Sequence, residues 1–190
     1  MNFSSSEGFS KYNFNLNLSN QDGPIEWYVI LNKSQIKNGY DNSFQIEDAN
    51  FIGLSFLESL SSRFKYQYSK GEISLTVGYQ NTSREYRDNY PLTFKSINRS
   101  AEILNKLKIS DKIYSVQGIL FQDSGYDGVL NVGQVGLYSN VVYLSGKNLN
   151  FSLGGRINNH KTYGNFFTYS LNPSYNIHLK EIENIKIFAT

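Results

Sequence analysis

Side chains with reactive chemistry are few in this chain, and they do not converge. His160 and His178 are its two histidines. The first falls in the polar stretch "NHKTYGN" and the second at the turn "HLKEIE", neither with a second ligand at metal-binding spacing. The absence of cysteine excludes thiolate nucleophiles, thiolate metal sites and a disulfide framework. Ser and Asp are plentiful, but no spacing pairs a nucleophile with a base. We therefore expect no catalytic residue, no metal site and no cofactor, and the chain reads as a non-enzyme. Two stretches, "GYDN" at 39–42 and "DSGYDG" at 123–128, gather the hard oxygens that suit calcium; Asp and Gly are also what turns need for backbone reasons. What remains is recognition. Tyr40, Tyr86, Tyr90, Tyr126 and Tyr163 lie in polar stretches, where their flat rings suit either stacking on a bulky planar ligand or a belt at a membrane interface.

The elements that hold these tyrosines are legible from period. In "YNFNLNLSN", Tyr12, Phe14, Leu16 and Leu18 fall on one side of an extended chain and Asn13, Asn15, Asn17 and Ser19 on the other. The tight "QDGP" joins it to "IEWYVILNKS". Four more pairs follow: "SRFKYQYS" with "EISLTVGYQ" through "KG"; Ile97–Ile109 with Ile113–Gln122 through "SDK"; Val132–Leu144 with Leu149–Asn158 through "SGKN"; and "FFTYSLNPSYNI" with "NIKIFAT" through "HLKEIE". Between pairs lie polar stretches, expected as long loops near 35–50, 84–96, 123–131 and 159–165. Tight turns alternating with long loops is the layout of an antiparallel up-and-down transmembrane β-barrel, with its short turns on one side of the membrane. "FIGLSFLESLSSRF" mixes strand and helix spacing and reads as either a strand or a short loop helix.

Composition agrees. The chain has 190 residues, with 15 Tyr and 13 Phe against 1 Trp and 1 Met. Its formal charge of +2 gives no reason to expect nucleic acid. No apolar run approaches the roughly 18 residues of a membrane helix, and the start "MNFSSSEGFSKYNF" lacks the basic and apolar regions of a signal peptide. The polar sides of the best strands carry Thr168, Ser170, Asn172, Ser174 and Asn176 rather than the Lys and Glu of a soluble surface. Charge gathers instead in turns and loops.

The segment "FSLGGRINNHKTYGNFFTYSLNPSYNI…IKIFAT" resembles TonB-dependent outer-membrane receptors, where a strand with an Arg-containing end leads through a short His/Gly loop to a strand with Tyr and Pro. "GFSKYNFNLNLSNQDGPIEWYVILNKSQIKNGYDN" is similar to the first strands of those barrels, and strand order and loop spacing are most like the cobalamin receptor subgroup. The resemblance spans residues 1–190. It implies a partial barrel domain, about ten meandering strands of a 22-stranded, plugged barrel, in the outer membrane of a Gram-negative bacterium. Such a receptor contacts outer-membrane lipid, imports a small-molecule metal chelate, and is driven by a TonB-type energising protein through a plug domain. This chain lacks the plug, the segment that binds the energising protein and a terminal aromatic, as expected of a barrel fragment. The resemblance places Arg156 and Asn158 facing the lumen, with Arg156 opposite a plug carboxylate. Pro173, which cannot donate to a ladder, is expected at a local bulge. A ferric siderophore or haem receptor, a stand-alone pore or adhesin, and a soluble β-sheet binding module are the alternatives.

Overall fold

The computed structural model describes residues 8–40, 51–128, 130–145, 148–177 and 185–188. Among these, every regular element is a strand: β1 (Phe9–Asp22), β2 (Ile25–Tyr40), β3 (Phe51–Tyr68), β4 (Gly71–Arg87), β5 (Leu92–Lys108), β6 (Ile113–Tyr126), β7 (Leu130–Leu144), β8 (Leu149–His160), β9 (Gly164–Ile177) and β10 (Ile185–Phe188). Each pairs antiparallel with its neighbour in sequence, so the order across the single sheet is the order along the chain. The fold is the all-β, up-and-down meander expected from the period-two pattern. Among the described residues no ladder joins β1 to β10.

Continuous registers carry the alternation across the whole sheet. One row runs Trp27, Phe64, Leu75, Ile103, Ile119, Leu137, Ile157, Phe167 from β2 to β9, apolar at every step. Because successive side chains point to opposite faces, the rows between are different in kind: Asn15, Asn32, Ser59, Gln80, Asn98, Ser124 cross β1 to β6. Nothing in the described chain packs on either face. Leu54 is the one buried hydrophobic residue, while Leu153, Phe167 and Tyr169 are 59, 63 and 81 % exposed.

The strands are longer than their apolar stretches. β3 has 18 residues and β4 and β5 have 17. At roughly 3.3 Å per residue a strand of that length reaches about 55 Å. The apolar residues of the first face sit toward the tight turns, as with Ile25, Trp27, Val29 and Leu31 on β2, and the far halves continue as Lys33, Gln35 and Lys37. Three of the expected long loops are therefore mostly ladder. β4 runs to Arg87 and β5 starts at Leu92, β6 reaches Tyr126 before β7 begins at Leu130, and only Lys161–Tyr163 separate β8 from β9. Polar residues continue these ladders because backbone pairing is indifferent to side-chain polarity, and cross-strand bonds such as Asn32 Nδ2 to Ser59 Oγ (3.3 Å) join them. Of the first expected loop, 35–50, β2 takes the part up to Tyr40, and 41–50 lie outside the described residues.

"FIGLSFLESLSSRF" lies wholly within β3. Its mixed period arises because apolar residues occupy both faces there, with Ile52, Leu54 and Phe56 opposite β2 residues of the first face and Phe51 opposite Tyr40 on the second.

Pro173 makes no bulge. The β8–β9 register passes through Phe151↔Pro173 unbroken. The Asn176 N–H donates to Asn148 O, toward β8; amides alternate in direction along a strand, so the missing donor of Pro173 faces the other way. On that side the described part of β10 ends opposite Ser174. Among the described residues no ladder bond is therefore lost at Pro173.

Candidate functional site

The second, polar face turns aromatic at the end remote from the tight turns. Tyr40 closes β2 opposite Phe51 of β3. Tyr86 lies on β4 opposite Gly53, Phe94 on β5 opposite Arg84, and Tyr126 at the end of β6 opposite Ser96. Their rings form a chain: Tyr40–Phe51 at 5.6 Å, Tyr40–Tyr86 edge-on at 6.1 Å, Tyr86–Phe94 edge-on at 6.0 Å and Phe94–Tyr126 stacked at 6.3 Å. Edge-to-face and offset contacts at these separations hold aromatic pairs together. Gly53, between β2 and β4, presents no side chain that would separate Tyr40 from Tyr86.

Polar tips fix the orientation of the outer rings. Tyr40 OH donates to Asp88 Oδ2 at 3.1 Å, and Asp88 Oδ1 accepts the Tyr90 N–H at 2.7 Å. Partial burial, then the Asp88 carboxylate, raises the Tyr40 phenol above its ordinary value. Tyr126 is raised in the same way, by burial first and then by Asp127. Both rings stay neutral donors well into alkaline solution.

Three of the five candidate tyrosines, Tyr40, Tyr86 and Tyr126, are thus brought together. The other two are not: Tyr90 projects from the β4–β5 connection at 83 % exposure, and Tyr163 lies tilted against His160 at 4.7 Å beyond β8. Phe51 and Phe94 complete the rim and escaped sequence reasoning, because only the register over five strands places them beside the tyrosines.

His160 has a local task. Its Nδ1 accepts the N–H groups of Thr162 (3.1 Å) and Tyr163 (3.2 Å), closing the β8–β9 turn. His178 lies outside the described residues. The "DSGYDG" carboxylates are likewise engaged locally. Asp123 faces Arg99 at 3.5 Å, and Asp127 Oδ1 accepts the Lys95 N–H at 2.6 Å, with Asp127 and Gly128 both at positive φ. Among the described residues no group of three or more His, Asp or Glu side chains is placed to hold a metal ion; Asp41 of "GYDN" lies outside them.

Arg156 and Asn158 share the polar face midway along β8. Arg156 Nε donates to Asn158 Oδ1 at 2.7 Å, and Asn158 is 3 % exposed. Beside them Tyr138 crosses β6 to donate to Glu102 Oε1 on β5 at 2.7 Å. Two glycines make this network possible: a Cβ on Gly118 would meet the Tyr138 ring at 2.3 Å, and one on Gly136 would meet Arg156 Nη2 at 3.0 Å.

The two faces thus offer flat aromatic surface at one end, a fixed polar network midway and an apolar sheet behind. No protein-family model matches the chain, and no curated protein is similar to it at a significant level.

Proposed function

We propose that the chain forms part of the wall of an outer-membrane β-barrel receptor that takes up a bulky metal chelate. One observation carries the membrane part: an apolar face spanning the sheet that no other described part of the chain covers. Burying a large apolar side chain is worth about 1.5–3 kcal/mol, so leaving a row such as Trp27 to Phe167 in water costs on the order of ten kcal/mol or more. Lipid removes that cost. The apolar stretches match, since Val135–Tyr143, Leu149–Ile157 and Phe167–Tyr175, broken on that face only by Ser139, Gly155 and Pro173, are each about the 9–11 residues that a tilted strand needs to cross a bilayer. Trp27, Tyr66, Tyr143 and Tyr175 line the tight-turn edge of the band, where an interfacial girdle belongs. The Asn- and Ser-rich face then lines a wet lumen.

The receptor part rests on the resemblance to TonB-dependent receptors and on the aromatic rim. A row of rings at the mouth of a lumen suits a ligand with flat, weakly hydrated faces, such as cobalamin, haem or a catecholate-type ferric siderophore. In that setting the Arg156–Asn158 pair faces the plug domain, through which the energising protein acts.

A chain without cysteine makes the test clean. Single variants Leu153→Cys and Ser152→Cys, spin-labelled in lipid vesicles, are expected to differ: the first relaxed by oxygen dissolved in lipid, the second by a water-soluble nickel chelate. On whole cells, Asp88→Cys should react with an impermeant thiol reagent and Lys112→Cys should not. Aqueous relaxation at both 152 and 153 would refute the membrane reading.

A further inference from the structure

The apolar face carries a polar patch deep inside its band. Beside the row of Ile103, Ile119, Leu137 and Ile157, one step toward the tight turns, stand Asn105, Gln117, Ser139 and Gly155 on β5, β6, β7 and β8. Leu107, Val141 and Leu153 resume beyond them, together with Ser115. Ser139 is the centre of Val135–Tyr143, and Gln117 is the centre of the stretch from Ile113 to Phe121. In the membrane setting the patch therefore lies near the middle of the hydrocarbon.

Its amides are joined to one another. Tyr68 OH donates to Asn105 Oδ1 at 2.7 Å, Asn105 Nδ2 donates to Gln117 Oε1 at 3.3 Å, and Gln117 Nε2 donates to Ser115 Oγ. Each amide has a second N–H that these bonds do not use, and the Ser139 side chain stands exposed. Polar groups at this depth have no water to turn to, and acyl chains give them no partner. Packing within the sheet does not require the bare backbone of Gly155, where a Cβ would meet the Phe167 ring at an ordinary 3.5 Å.

We propose that this patch is the contact between two copies of the chain, side by side in the bilayer about a two-fold axis along the membrane normal. The inference rests on the membrane reading above. Three considerations select a second copy. An amide is donor and acceptor at once, so Gln117 pairs with the partner's Gln117 at the axis, with Asn105 and Ser139 on either side. An axis along the normal also keeps the tight turns of both copies on one side of the membrane, as a common route of insertion demands. Four strands about 4.8 Å apart over a band about 30 Å tall offer roughly 550 Å² per copy, just above the roughly 1,000 Å² in total that a specific interface needs.

The test is thiol cross-linking in the membranes of cells that express the protein. Ile119→Cys, beside the axis, should give a covalent dimer with a short bis-maleimide. Leu171→Cys, on the same face but three strands away on β9, should give at least roughly tenfold less, and native mass spectrometry of the extracted protein should find two copies. Asn105→Leu with Gln117→Leu should lower the Ile119→Cys yield at least roughly tenfold, the effect of about one lost hydrogen bond; Gln117→Asn, which keeps an amide, should lower it less. Equal yields at 119 and 171, a cross-link to a different protein, or a dimer unmoved by the double leucine variant overturns the contact. A spin label at Leu171→Cys separates the two failures. Relaxation by oxygen dissolved in lipid, without a dimer, sinks the contact alone, and aqueous relaxation sinks the membrane reading with it.

Discussion

Alanine at position 118 places a methyl group inside the ring of Tyr138. A Cβ there lies 2.3 Å from Tyr138 Cζ and from its hydroxyl, so the ring must swing off β6. The phenol then leaves Glu102 Oε1, to which it donates at 2.7 Å. A hydrogen bond to a carboxylate is worth about 1.5–3 kcal/mol; partial exposure of both side chains reduces this to about 1–2 kcal/mol. Against the loss stands the strand preference for Ala over Gly, roughly 0.5–1 kcal/mol. Gly118→Ala should therefore destabilise by no more than about 1.5 kcal/mol. Tyr138→Phe alone should cost about 1–2 kcal/mol, and added to Gly118→Ala it should cost nothing further. The coupling, about 1–2 kcal/mol, exceeds the roughly 0.5 kcal/mol scatter of independent sites. Urea unfolding from lipid vesicles measures it, and Trp27, the only tryptophan and a residue of the apolar face, is the reporter. Additive single effects, or a Gly118→Ala protein more stable than the parent by the full glycine term, would show that the Tyr138–Glu102 arm does not depend on the bare backbone beneath it.

The raised phenol of Tyr40 gives a pH signature. Its folded-state pKa lies above the unfolded value near 10, so its contribution to stability is complete below pH about 10 and is lost as pH climbs through the raised value; phenolate absorbance should show several late-titrating phenols, with one fewer in Tyr40→Phe. In the intact receptor, Tyr86→Ala and Tyr126→Ala should each weaken chelate binding by about 1–3 kcal/mol, and Phe94→Ala by a similar amount, while Tyr90→Ala changes it little; competition between cobalamin and ferric siderophores identifies the ligand, and unchanged affinity in all four returns the rings to an interfacial role. Pro173→Ala should shift the urea midpoint by the equivalent of no more than about 0.5 kcal/mol, because no ladder bond among the described residues depends on that nitrogen, and a larger stabilisation would indicate a ladder bond or strain on the β10 side.

Strand identity was legible wherever one face was apolar. Tyr12 to Leu18 and Phe167 to Ile177 announce themselves because a period of two with a large contrast in polarity fits a two-faced strand and clashes with the 3.6-residue period of a helix. Strand ends were not legible. In "NTSREYRDNY" both faces are polar, and the backbone bonds that carry β4 to Arg87 leave no mark on composition. The same blindness hid two of the five rings of the aromatic rim. Tyr40, Tyr86 and Tyr126 stood out as tyrosines in polar stretches, but Phe51 and Phe94 join them only through pairing across strands far apart in sequence. The bulge expected at Pro173 failed for a related reason, since a residue's type says that its donor is missing and only the phase of the ladder says which way that donor would have pointed. Arg156 and Asn158 are placed on the polar face by their parity along β8, whereas the glycines that make room for the Tyr138 and Arg156 side chains reveal their purpose only once the neighbouring strands are in place.

Pairing confined to consecutive strands has a consequence for how such a sheet is assembled and altered. Most of these hairpins close through a turn of a few residues, so their ladders can zip from the turn without waiting for distant chain to arrive, and folding carries little of the entropic delay that crossed topologies impose. Stability then accumulates strand by strand, as in a linear array. Gain or loss of a whole hairpin leaves every remaining register intact and changes only the width of the sheet. Insertion of a single residue within a strand is the opposite case, because it exchanges the apolar-face and polar-face residues of everything beyond it. The hairpin, not the residue or the domain, is the unit in which this architecture can lengthen, shorten or recombine.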